Sequence, residues 1–136
     1  MAYCTKQNLI DRFGEIELIQ LTDRDNQGII DETVIAQAIA DAGAEIDGYL
    51  NRYALPLANV PSNLVRMACD VARYYLYDDA MIESVQIRYD SVIKYLSAVA
   101  KGLITLPPDI NGIVTEEAVG GAMFQSYAPV MGIDDY

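Results

Sequence analysis

Residues Arg12–Leu57 read RFGEIELIQLTDRDNQGIIDETVIAQAIADAGAEIDGYLNRYALPL, and this stretch decides the fold. From Asp31 or Glu32 to Tyr53, apolar residues recur at Ile35, Ile39, Ala42, Ile46, Tyr49 and Tyr53. The steps alternate four and three, which puts them on one face of a continuous helix. Gly43 and Gly48 each lower helix propensity by about 1 kcal/mol relative to Ala, and mark places where a neighbouring helix can come close. Pro56 and Pro61 then bound a short loop.

Working outward, Thr5 is placed to cap a short helix that stops at Gly14 and presents Leu9, Ile10 and Phe13. A second short helix, Glu15–Leu21, carries Ile16, Leu18, Ile19 and Leu21. Its Glu15 and Glu17 suit the positive end of the helix dipole. Downstream, Ser62 or Asn63 caps a fourth helix running to about Asp79, with Leu64, Ala68, Val71 and Tyr75 on one face and Leu76 beside them. A fifth runs from about Ser84 to Gly102, with Val85, Tyr89, Val92, Leu96, Val99 and Leu103 in the same four-three steps. Amphipathic helices joined by short loops predict an all-α fold, a small antiparallel bundle of four to five helices over residues 1–103.

From residue 104 to 136 the pattern predicts an irregular C-terminal arm. Gly102–Tyr136 contains no Lys or Arg, five of the nine glycines and three of the five prolines. Pro107-Pro108 forbids helix continuation. Apolar residues remain at Ile110, Ile113, Val114, Val119, Met123 and Phe124. Two readings are open: a floppy terminus, or an arm that orders against a neighbouring subunit or partner, with Ile113, Val119, Met123 and Phe124 as its candidate contacts.

A chain of 136 residues with 52% apolar content can build one core. The net charge of −11 argues against direct binding to nucleic acid or to an anionic membrane, and suits a basic protein partner or cations. With no histidine, the usual general base and commonest zinc ligand are missing. Cys4 and Cys69 form no CxxC pattern and read as reduced thiols of a cytoplasmic protein. No signal segment and no apolar run of about 18 residues is evident.

The turn Asp23, Asp25, Gln27, Gly28, Ile30, Asp31 follows the first nine places of a calcium-binding EF-hand loop. Asp23, Asp25 and Asp31 are the candidate ligands of a weakly bound Ca²⁺. The twelfth place is Val34 rather than a bidentate Glu, so a plain acidic turn with Asp31 or Thr33 capping the next helix is the competing reading. Among the tyrosines, Tyr49, Tyr53, Tyr75 and Tyr89 fall on apolar faces. Tyr74, Tyr77 and Tyr95 point elsewhere and are interface candidates. Arg66, Asp70 and Arg73 lie along one side of the fourth helix and read as a solvated ion-pair row. Asp78-Asp79 and Glu116-Glu117 are adjacent pairs that point apart and give no acid–base dyad. No phosphate loop or nucleophile elbow is present, so neither catalysis nor a tightly held cofactor is expected.

Phe13-Gly14, Leu18 to Asp23, Asp25, Gly28, Ile46 to Tyr49 and Tyr53 to Pro56 together resemble a family of small Mu-like bacteriophage and prophage proteins. Beyond Pro61 the resemblance is one of pattern and length. Its size and helical pattern are similar to those of head–tail adaptor (connector) proteins. The resemblance implies a structural subunit that forms a ring with copies of itself and meets the portal and tail-completion proteins. Its place would be the virion neck, and the host cytoplasm during assembly. An acidic protein-binding module or DNA mimic, and a weak calcium-binding helical module, are the alternatives.

Overall fold

A computed structural model describes residues 1–107, and within them the fold is all-α. Five helices follow in order: α1 Lys6–Phe13, α2 Glu15–Thr22, α3 Glu32–Tyr49, α4 Ser62–Tyr77 and α5 Glu83–Ala100. A 3₁₀ turn at Asp78–Ala80 joins the last two.

The local signals act as their chemistry dictates. Thr5 and Asn8 form a reciprocal capping box at the start of α1, each side chain accepting the other's backbone N–H. Gly14 then turns the chain at φ 90°, where a side chain would be strained, so α1 and α2 meet at a corner rather than fusing. Asp31 caps α3 by accepting from the N–H groups of Thr33 and Val34. At α4 the expected polar cap is not used. Pro61 stands at the N-cap position and Ser62 is already helical. Proline's fixed φ prepares a helix start without a side-chain bond.

Helix α4 is the centre of the bundle. It packs on α1, α2, α3 and α5, and every residue from Met67 to Ala72 is buried. One apolar face was expected, and burial extends round the middle turns instead. Ala68, Cys69 and Ala72 are small enough to let helices approach from several sides. Helix α5 runs antiparallel to α4, with Asn63 bonded to Tyr95 and Asp70 beside Arg88. Leu9, Leu18, Ile35, Ile46, Leu64, Met67 and Leu96 fill the core.

Three expectations need correction. Helix α3 ends at Tyr49, one turn short of Tyr53. Tyr53 is nevertheless buried, because a turn closed by its N–H to the Leu50 carbonyl returns it to the core. Leu103 does not continue the α5 face and is 76% exposed. Gly102, at φ 78°, has already turned the chain. Finally, packing passes the expected boundary at residue 103. Leu106 is buried and donates its N–H to the Tyr53 hydroxyl at 2.9 Å.

Candidate functional site

The acidic turn between α2 and α3 is held together by its own carboxylates. Asp23 accepts the backbone N–H groups of Gln27 and Gly28 at 2.8 and 2.7 Å. Asp31 is committed to the α3 cap, and its own N–H donates to the buried Thr22 hydroxyl at 3.0 Å. Ile30 packs inward, as the loop pattern requires. Asp23, Asp25 and Asp31 line a shallow hollow of about 200 Å³. Among the described residues, no group of three or more His, Cys, Asp or Glu is arranged to hold a metal ion. Asp23→Ala is expected to cost about 1 kcal/mol with or without calcium, because two backbone donors lose their acceptor. Exposed Asp25 separates the two readings. A calcium-dependent rise in melting temperature that Asp25→Ala abolishes marks a bound cation, and no rise at millimolar calcium marks a plain turn.

Along α4, Arg66, Asp70 and Arg73 are not a uniformly solvated row: Arg66 stays exposed, but Asp70 and Arg73 are covered. Asp70 is only 5% exposed, with Arg66 Nη1 at 3.4 Å and Arg88 Nη1 at 3.8 Å. Arg73 makes a forked pair with Glu17 of α2, at 2.7 and 3.2 Å. Its guanidinium lies 4.3 Å from the Phe13 ring centre. The two bonds tie α2 to α4, and the stacked ring ties α1 to it. Beside this pair, Arg12, Phe13, Arg66, Asp70 and Arg88 line an open hollow of about 400 Å³. The convergence of Arg12 from α1 and Arg88 from α5 on Asp70 carries no sequence signal, since the three residues are far apart in the chain.

Burial pushes the Asp70 carboxyl above the usual carboxylate range, and the attraction of Arg88, Arg66, Arg73 and Arg12 only partly offsets it. An acid whose pKa is higher folded than unfolded favours the folded state when protonated. That contribution is fully present below the unfolded pKa and lost as pH rises through the folded one. Asp70→Asn is therefore expected to gain stability relative to the native chain as pH rises above the carboxylate range. Thermal melts at pH 3 and pH 7 measure this, and an equal difference at both would contradict it.

The tyrosines form a second cluster. Tyr75 and Tyr89 both donate to the Glu45 carboxylate of α3, the second at 2.7 Å. Burial and these bonds push both phenols up. Tyr74 stacks on Tyr89, with ring centres 3.7 Å apart, and meets Tyr75 edge-on. Tyr77 lies 5.6 Å from the Arg73 guanidinium, and the Tyr95 hydroxyl accepts from Asn63 at 3.1 Å. The structure thus places Tyr74, Tyr77 and Tyr95 in three different settings, each half-buried with an internal partner. Cys4 and Cys69 are brought together in the core, where the Cys69 contact and then burial push the Cys4 thiol up. Ile113, Val119, Met123 and Phe124 lie outside the described residues.

A small all-α domain with an acidic surface, tight internal ion pairs and no helix long and apolar enough to cross a membrane among its described residues is one of many such modules. Comparison narrows this to a phage protein. The model of the family described as Bacteriophage Mu, Gp36 matches residues 3–125, and the chain belongs to that family. It is 34% identical over 131 residues to the Mu-like prophage FluMu protein gp36 of Haemophilus influenzae, covering 96% of this chain and 92% of that one. It is 39% identical over 104 residues to Gene product J of Escherichia phage Mu, covering 75% of this chain and 74% of the other.

Proposed function

We propose that this phage protein is a structural assembly subunit, a head–tail adaptor that forms a ring at the portal and helps join the filled head to the tail. Its membership of the Mu Gp36 family over most of its length carries this reading. The described residues support it. Several charged side chains hold helices together, Arg73 with Glu17 and Lys6 with Glu32. Such a protein acts through its surfaces, with copies of itself, the portal and the tail-completion proteins as partners, and without catalysis or direct contact with DNA. It works at the virion neck after assembly in the host cytoplasm.

An amber codon in this gene of the phage that encodes it tests the reading. The expected result is DNA-filled heads and free tails that do not join, with infectivity restored by supplying the chain in trans. Purified virions should contain the chain at the neck. Normal titres without it, or its absence from virions, would overturn the proposal.

A further inference from the structure

Arg66 and Arg88 keep more than half of their side-chain surface exposed, at 53% and 58%, although each leans on Asp70. Arg73, by contrast, is covered and spent on Glu17. Arg12, Arg66 and Arg88 line one hollow with a single carboxylate, Asp70, so the hollow is left with an excess of positive charge. It gathers three of the nine basic residues of a chain whose net charge is −11. Phe13 supplies an apolar wall. Guanidinium groups around such a space are built to receive carboxylates, which they bind through paired N–H donors.

The turn between α2 and α3 offers the complement. Asp23, Asp25, Asp31 and Glu32 lie together there, with Ile29 among them. Asp25 is exposed, Ile29 is 59% exposed and the Glu32 side chain 70%. Arg24 does not offset these carboxylates, because it lines a separate hollow with residues of α3 and α4. Lys6 pairs with Glu32 and still leaves the patch net negative. One patch is basic with an aromatic wall, and the other is acidic with an exposed aliphatic side chain.

Two copies of net charge −11 repel overall, so a contact between them is favoured where it sets opposite charges against each other. Matching hollow with hollow, or turn with turn, would oppose like charges. We infer that the hollow of Arg12, Arg66 and Arg88 on one copy receives Asp25 and Glu32 of the acidic turn on the next, with Ile29 against Phe13. The two patches differ, so the contact is head-to-tail, and it makes a ring when its rotation closes. A single exposed ion pair holds little, and the contact depends on several charges and an apolar pair meeting at once. The inference rests on the ring part of the adaptor reading and names the surfaces that form it.

Two full-length variants, Gln27→Cys in the turn and Ser91→Cys on α5, test it. Ser91 is exposed and three residues beyond Arg88, so it shares that side of α5. The native Cys4 and Cys69 are buried, so a short bis-maleimide is directed to the introduced thiols. In concentrated protein at low salt, the mixture is expected to give cross-linked pairs of one variant with the other, and neither variant alone is expected to pair. A chain carrying both substitutions should give a ladder of products. Salt at about 0.5 M should lower the mixed product about tenfold, since screening then acts over a few ångström. Asp25→Lys on the turn side and Arg88→Glu on the hollow side should each lower it as far, and the two together should restore it. Restoration separates a matched contact from damage to the fold, and Asp25→Lys leaves the hollow itself intact. No mixed product, a product insensitive to these charges, or equal pairing of each variant with itself would overturn the inference. Loss of head joining in Arg88→Glu with unchanged cross-links would mean that the hollow receives an acidic surface of another protein, and would overturn it too. The amber mutant judges the adaptor reading separately. Normal titres without the chain overturn that reading whatever the cross-links show, whereas missing cross-links together with unjoined heads overturn only the contact.

Discussion

A chain ended after Pro107 is expected to fold, to keep the helical content of residues 1–107, and to join no heads to tails. The bundle is already satisfied at that point. Its core is closed by Leu106, which is 3% exposed and bonded through its N–H to Tyr53. The removed segment carries Ile110, Ile113, Val114, Val119, Met123 and Phe124, whose burial on a neighbour would contribute roughly 25 cal/mol per Å² before ordering costs. A head-to-tail contact makes a ring when its rotation closes. Ending the chain after residue 104 is a different experiment. It removes the Leu106 side chain and its bond, and is expected to cost about 2–5 kcal/mol of stability, as other large core deletions do. Thermal melts of the two truncations, with complementation of the amber mutant, measure both effects. If the chain ending at Pro107 completes infectious particles, residues 108–136 are not the joining arm.

Gly43→Ala is expected to destabilise the fold by about 2 kcal/mol, although Ala is the better helix former by about 1 kcal/mol. A Cβ built on Gly43 would lie 1.9 Å from the Met1 carbonyl oxygen and 3.0 Å from its carbon. Both are backbone atoms and cannot swing aside. The whole segment before α1 would have to lift from α3, carrying buried Tyr3 and Cys4 with it and loosening the Tyr3 and Met1 bonds to Asp47. Gly48 is the matched control. Nothing lies within 4 Å of a Cβ there, so Gly48→Ala should stabilise by up to about 1 kcal/mol. Opposite shifts in melting temperature for two glycines of one helix are the expected outcome. A rise for both would mean that the N-terminal segment does not pack on α3.

The sequence alone determined the helices, because their signals are local. Thr5, Gly14 and Asp31 act on backbone groups within a few residues of themselves, and the four-three spacing of apolar residues records which side of each helix is dry. It determined the acidic turn as well, since Asp23 and Asp31 bond to near neighbours in the chain. The family was legible for a related reason, in turn and helix-end residues from Phe13 to Pro56, a stretch that lies inside the range 3–125 matched by the family model. Spacing could not show where periodic burial stops being helical. Tyr53 kept its place in the core through a turn, whereas Leu103 lost its place through one. Nor could it show what close approach Gly43 serves, which is the chain's first residues rather than another helix. The charged groups were decided by tertiary structure alone. Arg66 reaches Asp70 by helix spacing, but Arg12 and Arg88 join them only because α1 and α5 both pack against α4. Glu45 becomes the acceptor of two phenols because α3 crosses α4 and α5 at Tyr75 and Tyr89. Charges separated in sequence acquire partners, and lose water, only when the helices that carry them are brought together.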